Sequence, residues 1–341
     1  MMAEADVEVL ITVPFPGPLV ERLKAVSPRL NIRVVHARSA EDLPKDALQD
    51  IEILYAARAL PEADQVPELR WIQFHFAGID HVADHPLLRS ESIRITTLSG
   101  AAVTQMAEFA MMAMLGLGRQ LLPMLDDQAK HRWAEDRFEK YSPIELRDST
   151  IGIVGYGSVG REIARLARAF GSEGLAVKRD LMELDQERYS EDGQGDPGAE
   201  LVNRIYPPEA VASMASLCDF LVITVPLTTE TRGMIGAKVF KELKEGAFLV
   251  DISRGGVVDH GAMIEALQAG RLAGAALDVY PVEPLPASSP LWDMPNVILS
   301  PHVAGASPRY YEKAADMFVT NLRRYLSDQP LLNLYDPNRG Y

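Results

Sequence analysis

Short apolar runs rich in branched residues alternate with amphipathic stretches from the start of the chain: VEVLITV, then PLVERLKAV, then IRVVHA, then a polar stretch, then IEILYAA. Two further strand patterns follow at Arg70 to Phe76 and at Ile93 to Leu98. Strands of this length separated by helical periods predict a parallel α/β sheet in the first hundred residues. From Val103 to Leu122 the pattern becomes almost wholly apolar, with Glu108 its only acid. That stretch predicts a helix buried in a core or a dimer interface; its glycines, Gln105 and Glu108 argue against a membrane span. A second series begins near Ser149 and continues through Phe220–Leu227, Ala247–Ser253, Ala273–Val279 and Asn296–His302, as expected of a second, doubly wound sheet. The amphipathic run after His302 predicts a helix that returns to the first domain. Residues 1–103 with 306–341 are therefore expected to form one domain and 104–305 the other.

The second series opens with STIGIVGYGSVGREIARLARAFG, an apolar strand leading through Gly155-x-Gly157-x-x-Gly160 into an amphipathic helix. In this setting the glycines form a dinucleotide cradle. Gly155 allows the tight turn, Gly157 removes a side chain that would block a pyrophosphate, and Gly160 lets helix and strand pack closely. Tyr156, Ser158 and Val159 complete the loop, and the helix start near Ser158 offers amides and positive dipole to the phosphates.

A carboxylate after the next strand normally takes the ribose hydroxyls of NAD, but here the strand ends in Lys178 and Arg179. A cation pair there suits a 2′-phosphate, which favours NADP(H) over NAD(H). Asp180 follows at once and supplies the carboxylate if the strand ends later. Between Asp180 and Glu200 lie eight acids, a single base (Arg188) and three glycines, read as a mobile surface loop.

At 341 residues the chain has room for two domains with cores of their own. A net charge of −14 repels nucleic acid and acidic membrane surfaces, so any anionic ligand needs a local basic site. The single cysteine, Cys218, excludes an intrachain disulfide and falls in an apolar run as a small core residue. The N-terminal stretch lacks the basic region of a signal peptide, and a cytoplasmic enzyme without a metal is expected.

Three further segments, VPLTTETRGMI, DISRGGVVDHGAMIEALQAGRLAGAALDVYPVEPLP and SPLWDMPNVILSPHVAG, follow the glycine loop in order. With it they resemble the D-isomer-specific 2-hydroxyacid dehydrogenases over about Phe74 to Ser307. The resemblance implies a flavodoxin-like substrate domain, a Rossmann dinucleotide-binding domain and a homodimer. It also implies NAD(P)-dependent reduction of a small 2-oxo acid, of the glyoxylate or hydroxypyruvate type, to the D-2-hydroxy acid.

Carried over by motif, the family's arginine falls on Arg254, its acid before proline on Glu283 and its Pro-His histidine on His302. The chemistry agrees. A permanently charged planar guanidinium suits a substrate carboxylate and the polarised ketone. A histidine suits proton delivery to the carbonyl oxygen, and a carboxylate behind it sets the tautomer. HFAGIDHV matches the family's substrate loop, placing carboxylate-binding amides at Ala77 and Gly78. Asp278 matches the residue that binds the nicotinamide carboxamide, and Val225, Pro226 and Thr231 line the cofactor cleft. Phe74, Phe76, Trp133, Trp292 and Arg58 are the remaining candidates for shaping substrate choice, the two tryptophans reading first as core or interface residues.

One departure stands out: the family commonly has asparagine where this chain has Asp251, a change that either weakens cofactor phosphate contacts or bonds a backbone amide. The same fold also serves dinucleotide-sensing corepressors that act through partner binding, so a binding module is the alternative. Formate enzymes of the family carry glutamine at the place of Glu283 and phosphite enzymes lysine at that of Ala77, which disfavours both activities.

Overall fold

Parallel pairing of buried, branched strands produces two separate sheets in the computed structural model, which describes residues 5–181, 189–191, 193–196, 198–337 and 339–340. The described residues fall into two compact units. One lies within Met1–Ala101, Glu187–Glu191 and Ser307–Tyr341, the other within Ala102–Gln186 and Asp192–Ala306.

In the first unit β1 (Val7–Ile11), β2 (Leu30–Val34), β3 (Ile53–Ala56), β4 (Trp71–Phe74) and β5 (Arg94–Thr96) form an all-parallel sheet in the order β2-β1-β3-β4-β5. The helix Tyr310–Leu326 completes this core: the Phe318 ring sits 4.8 Å from that of Tyr55 and 5.4 Å from that of Trp71. Aromatic contact of this kind explains why a segment so distant in sequence belongs to the N-terminal sheet.

The second unit contains β6 (Thr150–Val154), β7 (Glu173–Val177), β8 (Arg204–Tyr206), β9 (Phe220–Ile223), β10 (Ala247–Asp251), β11 (Leu272–Leu277) and β12 (Val297–Leu299). Their order, β12-β11-β10-β9-β6-β7-β8, runs outward in both directions from β6. The chain reverses its winding between β6 and β9, and the crevice at their carboxyl ends is where open α/β sheets bind ligands. The central strand has no room for a side chain at Gly152, where a Cβ would lie 2.5 Å from Cys218 Sγ. Cys218 is itself buried, and burial pushes its thiol up to about 12, as a core residue requires.

Several elements differ from the sequence-based expectation. The helix expected over Val103–Leu122 ends at Gly118, and Gln120 turns the chain with a φ of 58° before a new helix at Leu121–Ala129. The break sits where the backbone of Ile144 comes close enough for its amide to donate to the Gly118 carbonyl at 2.9 Å. Any side chain at position 118 would meet the Ile144 carbonyl oxygen at 2.8 Å. β8 was not anticipated, being a three-residue edge strand with little periodicity.

The expected mobile loop falls partly on residues 182–188, 192 and 197, outside the described residues. Its described parts are held. Asp196 is buried, accepting from the Tyr156 hydroxyl and the amides of Glu200 and Leu201. Tyr189 and Glu191 join the first unit through Asn333 and Lys313. No helix among the described residues is long and apolar enough to cross a membrane.

Candidate active site

The glycine loop follows β6 directly, and its shape explains its composition. Gly155 has a φ of 112°, and a Cβ there would lie 2.7 Å from Thr224 Oγ1 and 2.9 Å from Val225 Cγ1, at the end of β9. A Cβ on Gly160 would lie 2.2 Å from the Gly155 carbonyl oxygen, so helix Ser158–Ala169 reaches its strand only because that position is glycine. Gly157 is the N-cap and carries no capping side chain, leaving the first turn at Ser158 and Val159 to present backbone amides without an acid among them. This cradle fits a pyrophosphate.

Tyr156 plays a different part from its neighbours. Its amide, like that of Gly155, donates to the Val177 carbonyl at 3.1 Å, and its phenol is buried in the core with its pKa raised by desolvation and by the bond to Asp196. With its hydroxyl given to Asp196, the Tyr156 side chain shapes the loop from behind. Lys178 and Arg179 follow the end of β7, with Arg179 exposed and the Lys178 amide donating to Tyr206 on β8. Across at the loop after β9, the Glu230 carboxyl is held below the usual range by the Thr228 hydroxyl and its own amide, and to a lesser extent by Arg179. In that loop Thr231 Oγ1 donates to the Pro226 carbonyl at 2.6 Å and accepts from the Thr228 amide at 2.8 Å, which sets the turn after Val225.

Three further candidates lie in successive connections of the second sheet. Arg254 lies three residues beyond β10, half-buried, with Nη1 donating to the Ser253 carbonyl at 2.8 Å. Its following glycine is packed so tightly that a Cβ on Gly255 would lie 1.9 Å from the Tyr280 carbonyl oxygen. His302 follows β12 and Glu283 follows β11; His302 Nδ1 lies 2.8 Å from Glu283 Oε2, while Glu283 Oε1 accepts from the Tyr280 amide at 3.0 Å. Both side chains keep access to solvent.

His302 occupies the left-handed region with a φ of 54°, a conformation that has to be held by its surroundings. Asp278 does this. Its buried carboxylate accepts from Ser300 Oγ at 2.6 Å, Val303 N at 2.8 Å and Ala304 N at 2.9 Å, bracketing His302 from both sides. Sequence reasoning named Asp278 only for the nicotinamide carboxamide and missed Ser300 and Tyr280, whose hydroxyl bonds both the Leu277 and Ser300 carbonyls.

Comparison with known proteins bears directly on this arrangement. Residues 111–304 match the family model for the NAD-binding domain of D-isomer specific 2-hydroxyacid dehydrogenases. The chain belongs to this family. It is accordingly an NAD(P)-dependent dehydrogenase acting on the CH–OH group of 2-hydroxy acids. Among its relatives as D-isomer specific 2-hydroxyacid dehydrogenases, a glycerate dehydrogenase of Methylorubrum extorquens is 29% identical, covering 84% of this chain and 86% of the relative. A glyoxylate reductase of Korarchaeum cryptofilum is 32% identical over 76% of this chain and 74% of its own. A family member from Xanthobacter autotrophicus, solved with NADPH and MES, superposes with a TM-score of 0.81 at 27% identity, covering 99% of this chain and 100% of its own. An NADPH-dependent glyoxylate/hydroxypyruvate reductase from Sinorhizobium meliloti, solved with NADP and sulfate, gives 0.79 at 28% identity over 98% and 100%.

Other candidates of the dehydrogenase are distributed as follows. Ala77 and Gly78 lie in the first unit, in the turn after β4, with Ala77 exposed. Phe74 is fully buried and so is a packing residue. Of the core and interface readings given to Trp133 and Trp292, exposure of 83% and 55% excludes the core. Asp251 does bond a backbone amide, that of Ser253. Among the described residues no His, Cys, Asp and Glu cluster suits a metal ion.

Proposed function

We propose that this dehydrogenase uses NADPH to reduce a small 2-oxo acid of the glyoxylate or hydroxypyruvate type to the D-2-hydroxy acid, with His302 as general acid. The observation that carries this reading is the 2.8 Å contact of His302 Nδ1 with Glu283 Oε2. It commits Nδ1–H to the carboxylate and leaves Nε2 as the proton donor. NADPH, when bound, supplies the hydride. The guanidinium of Arg254 binds the substrate carboxylate and polarises the carbonyl, Glu283 stabilises the imidazolium before it gives its proton, and Asp278 keeps the His302 turn in place. Ala77 and Gly78 keep the carboxylate-binding role that the family resemblance implies, and the domain within the first unit the role of substrate domain. The cofactor assignment rests on the Lys178–Arg179 pair and is supported by the NADPH and NADP complexes of the relatives from Xanthobacter autotrophicus and Sinorhizobium meliloti.

A homodimer is part of the proposal. Asp127, buried at the end of its helix, gathers Arg132, Lys140 and Tyr141, which hold its carboxyl well below the usual range, Lys140 foremost. This clamp fixes a segment that displays Trp133 and Phe138, 83% and 80% exposed, after a helix on which Leu121, Met124 and Leu125 are also exposed. A second copy covers such a surface. A corepressor-like module is not favoured, since the curated relatives named above are dehydrogenases and reductases by name.

The test is loss of reduced-cofactor absorbance with NADPH and, separately, NADH against glyoxylate, hydroxypyruvate, pyruvate, 2-oxoisocaproate and phenylpyruvate. Turnover of the first two with at least ~10-fold higher kcat/KM for NADPH is expected; each charged contact to the 2′-phosphate is worth about 1.5–3 kcal/mol. Silence across the panel, or preference for a bulky acid, sinks the substrate assignment, and an NADH preference moves the ribose contact to Asp180.

A further inference from the structure

Asp251 stands at the end of β10, three residues before Arg254, and is completely buried. Its Oδ1 accepts from the Ser253 amide at 3.0 Å and from Ser253 Oγ at 2.5 Å, closing the turn that delivers Arg254. Its Oδ2 is buried with no hydrogen-bond partner. On the neighbouring strand the Asp278 amide donates to the Asp251 carbonyl at 2.9 Å, and the Asp278 carboxylate holds the His302 turn. Two buried carboxyls thus lie side by side under the two turns that present Arg254 and His302. Asp278 has three donors to support a negative charge, whereas Asp251 has an orphaned oxygen.

We propose that Asp251 is a positioning residue that holds the Arg254 turn only while it carries a proton, so that deprotonation weakens the grip on the substrate carboxylate. This rests on the reading of Arg254 given above. A neutral carboxyl accepts from Ser253 through Oδ1 and carries its proton on Oδ2, burying an unpartnered hydroxyl but no charge. An ionised one buries a second negative charge next to Asp278, with no support beyond the two Ser253 bonds to Oδ1. The strands cannot relieve this, because Asp251 is locked in register with Leu277 on one side and Ile223 on the other. The movable part is the turn 252–254. Desolvation, and secondarily Asp278, push the Asp251 pKa up to about 7 against the two lowering bonds from Ser253, so the switch falls in the working range.

The surrounding titratable groups do not reverse this. Asp278, just past β11, is the charged group that acts on Asp251; Ile223 at the end of β9 and Thr224 after it carry no charge. Glu108 on the helix Val103–Gly118 is exposed. Near Tyr280, His260 is kept toward its neutral form by burial, and the Tyr280 phenol is pushed up to about 12, so both are uncharged near pH 7.

The test compares wild type with Asp251→Asn, which mimics the protonated acid at every pH, and with Asp251→Ala, which deletes the acceptor for Ser253. Two readouts are followed, the thermal midpoint from pH 4 to 8 and the KM for glyoxylate with saturating NADPH from pH 6 to 9. An acid whose folded pKa is raised favours the folded state most below its unfolded value and loses that advantage as pH rises toward the folded value. The wild-type midpoint should therefore fall relative to Asp251→Asn between about pH 4 and 7 and level off above. The wild-type KM should rise at least ~5-fold relative to Asp251→Asn between pH 6.5 and 8.5, a shift of about 1 kcal/mol. Asp251→Ala should show a raised KM at all pH values. A midpoint difference independent of pH shows that Asp251 does not titrate in this window and overturns the proposal. A titrating midpoint with a flat KM ratio severs Asp251 from Arg254 and overturns it as well. If no 2-oxo acid turns over, the substrate reading fails separately, and the melting comparison alone decides for or against the buried proton.

Discussion

Glu283 Oε2 lies 2.8 Å from His302 Nδ1, and the same carboxylate is anchored through Oε1 to the Tyr280 amide at 3.0 Å. The acid therefore fixes the imidazole from a position that is itself fixed by the loop after β11. His302→Ala should lower kcat by about 10²–10⁴-fold while leaving NADPH affinity, read by fluorescence titration, within about twofold. Glu283→Gln should lose about tenfold or more in kcat with the same cofactor affinity. Equal losses in turnover and cofactor binding would place both residues at the nucleotide instead.

Gly255 has no space for a side chain beside Tyr280. Gly255→Ala forces a Cβ to within 1.9 Å of a carbonyl oxygen. Overpacking of this kind costs about 1–3 kcal/mol or more, and the displaced neighbour is Arg254. Denaturant unfolding should show the loss, and the surviving enzyme should have a raised KM for the 2-oxo acid. A variant with wild-type stability and kinetics would show that the Arg254 turn is not held here.

Replacing Lys178 and Arg179 together by alanine should raise the KM for NADPH by about 10–100-fold or more, at the cost of one or two charged hydrogen bonds, and change that for NADH by less than about threefold. Parallel losses for both cofactors would remove the 2′-phosphate from this pair.

Acid stability reports on the first unit. Burial lowers the His75 pKa from its ordinary 6.5 to about 4, and the ring takes a 2.8 Å contact with the Tyr55 hydroxyl at Nδ1. The unfolded chain then binds a proton between about pH 6.5 and 4 that the folded chain refuses. Stability is full above that window and falls through it by up to about 3 kcal/mol. His75→Gln should flatten this part of the melting-temperature profile below pH 6.5. A profile unchanged by the substitution would show that other groups carry the acid sensitivity.

Trp133→Ser combined with Phe138→Ser should convert a dimer to a monomer in light scattering without lowering the content of helix or strand by circular dichroism. A monomeric wild type, or a variant that remains dimeric, would assign the exposed pair another purpose.

Much of this was legible from local pattern. Gly155, Gly157 and Gly160 announce their loop because steric demands at a turn act on adjacent residues, and the structure shows what any side chain would strike. The alternating branched strands announce parallel sheets because burial on both faces selects composition residue by residue. Arg254, Glu283 and His302 were named from the family resemblance, which also implied the pairing of Glu283 with His302; the structure supplies its geometry, 2.8 Å at Nδ1, by bringing together the loops after β11 and β12.

Other features escaped because they depend on partners far away in the chain. The helix at Val103 stops at Gly118 where the Ile144 backbone comes close, and of the two glycines in that stretch, Gly116 and Gly118, the sequence does not say which ends it. That the Tyr156 hydroxyl is taken by Asp196, forty positions on, is not marked in the glycine loop. Asp278 and Asp251 read as two unrelated acids, one at each of two strand ends. Local sequence determined which elements form and which chemistry they carry, since propensity, period and turn sterics act over a few residues. Only the tertiary structure decided which carboxyls are buried, which are satisfied and which face each other, because hydrogen bonding and desolvation are set by neighbours that the chain order does not reveal.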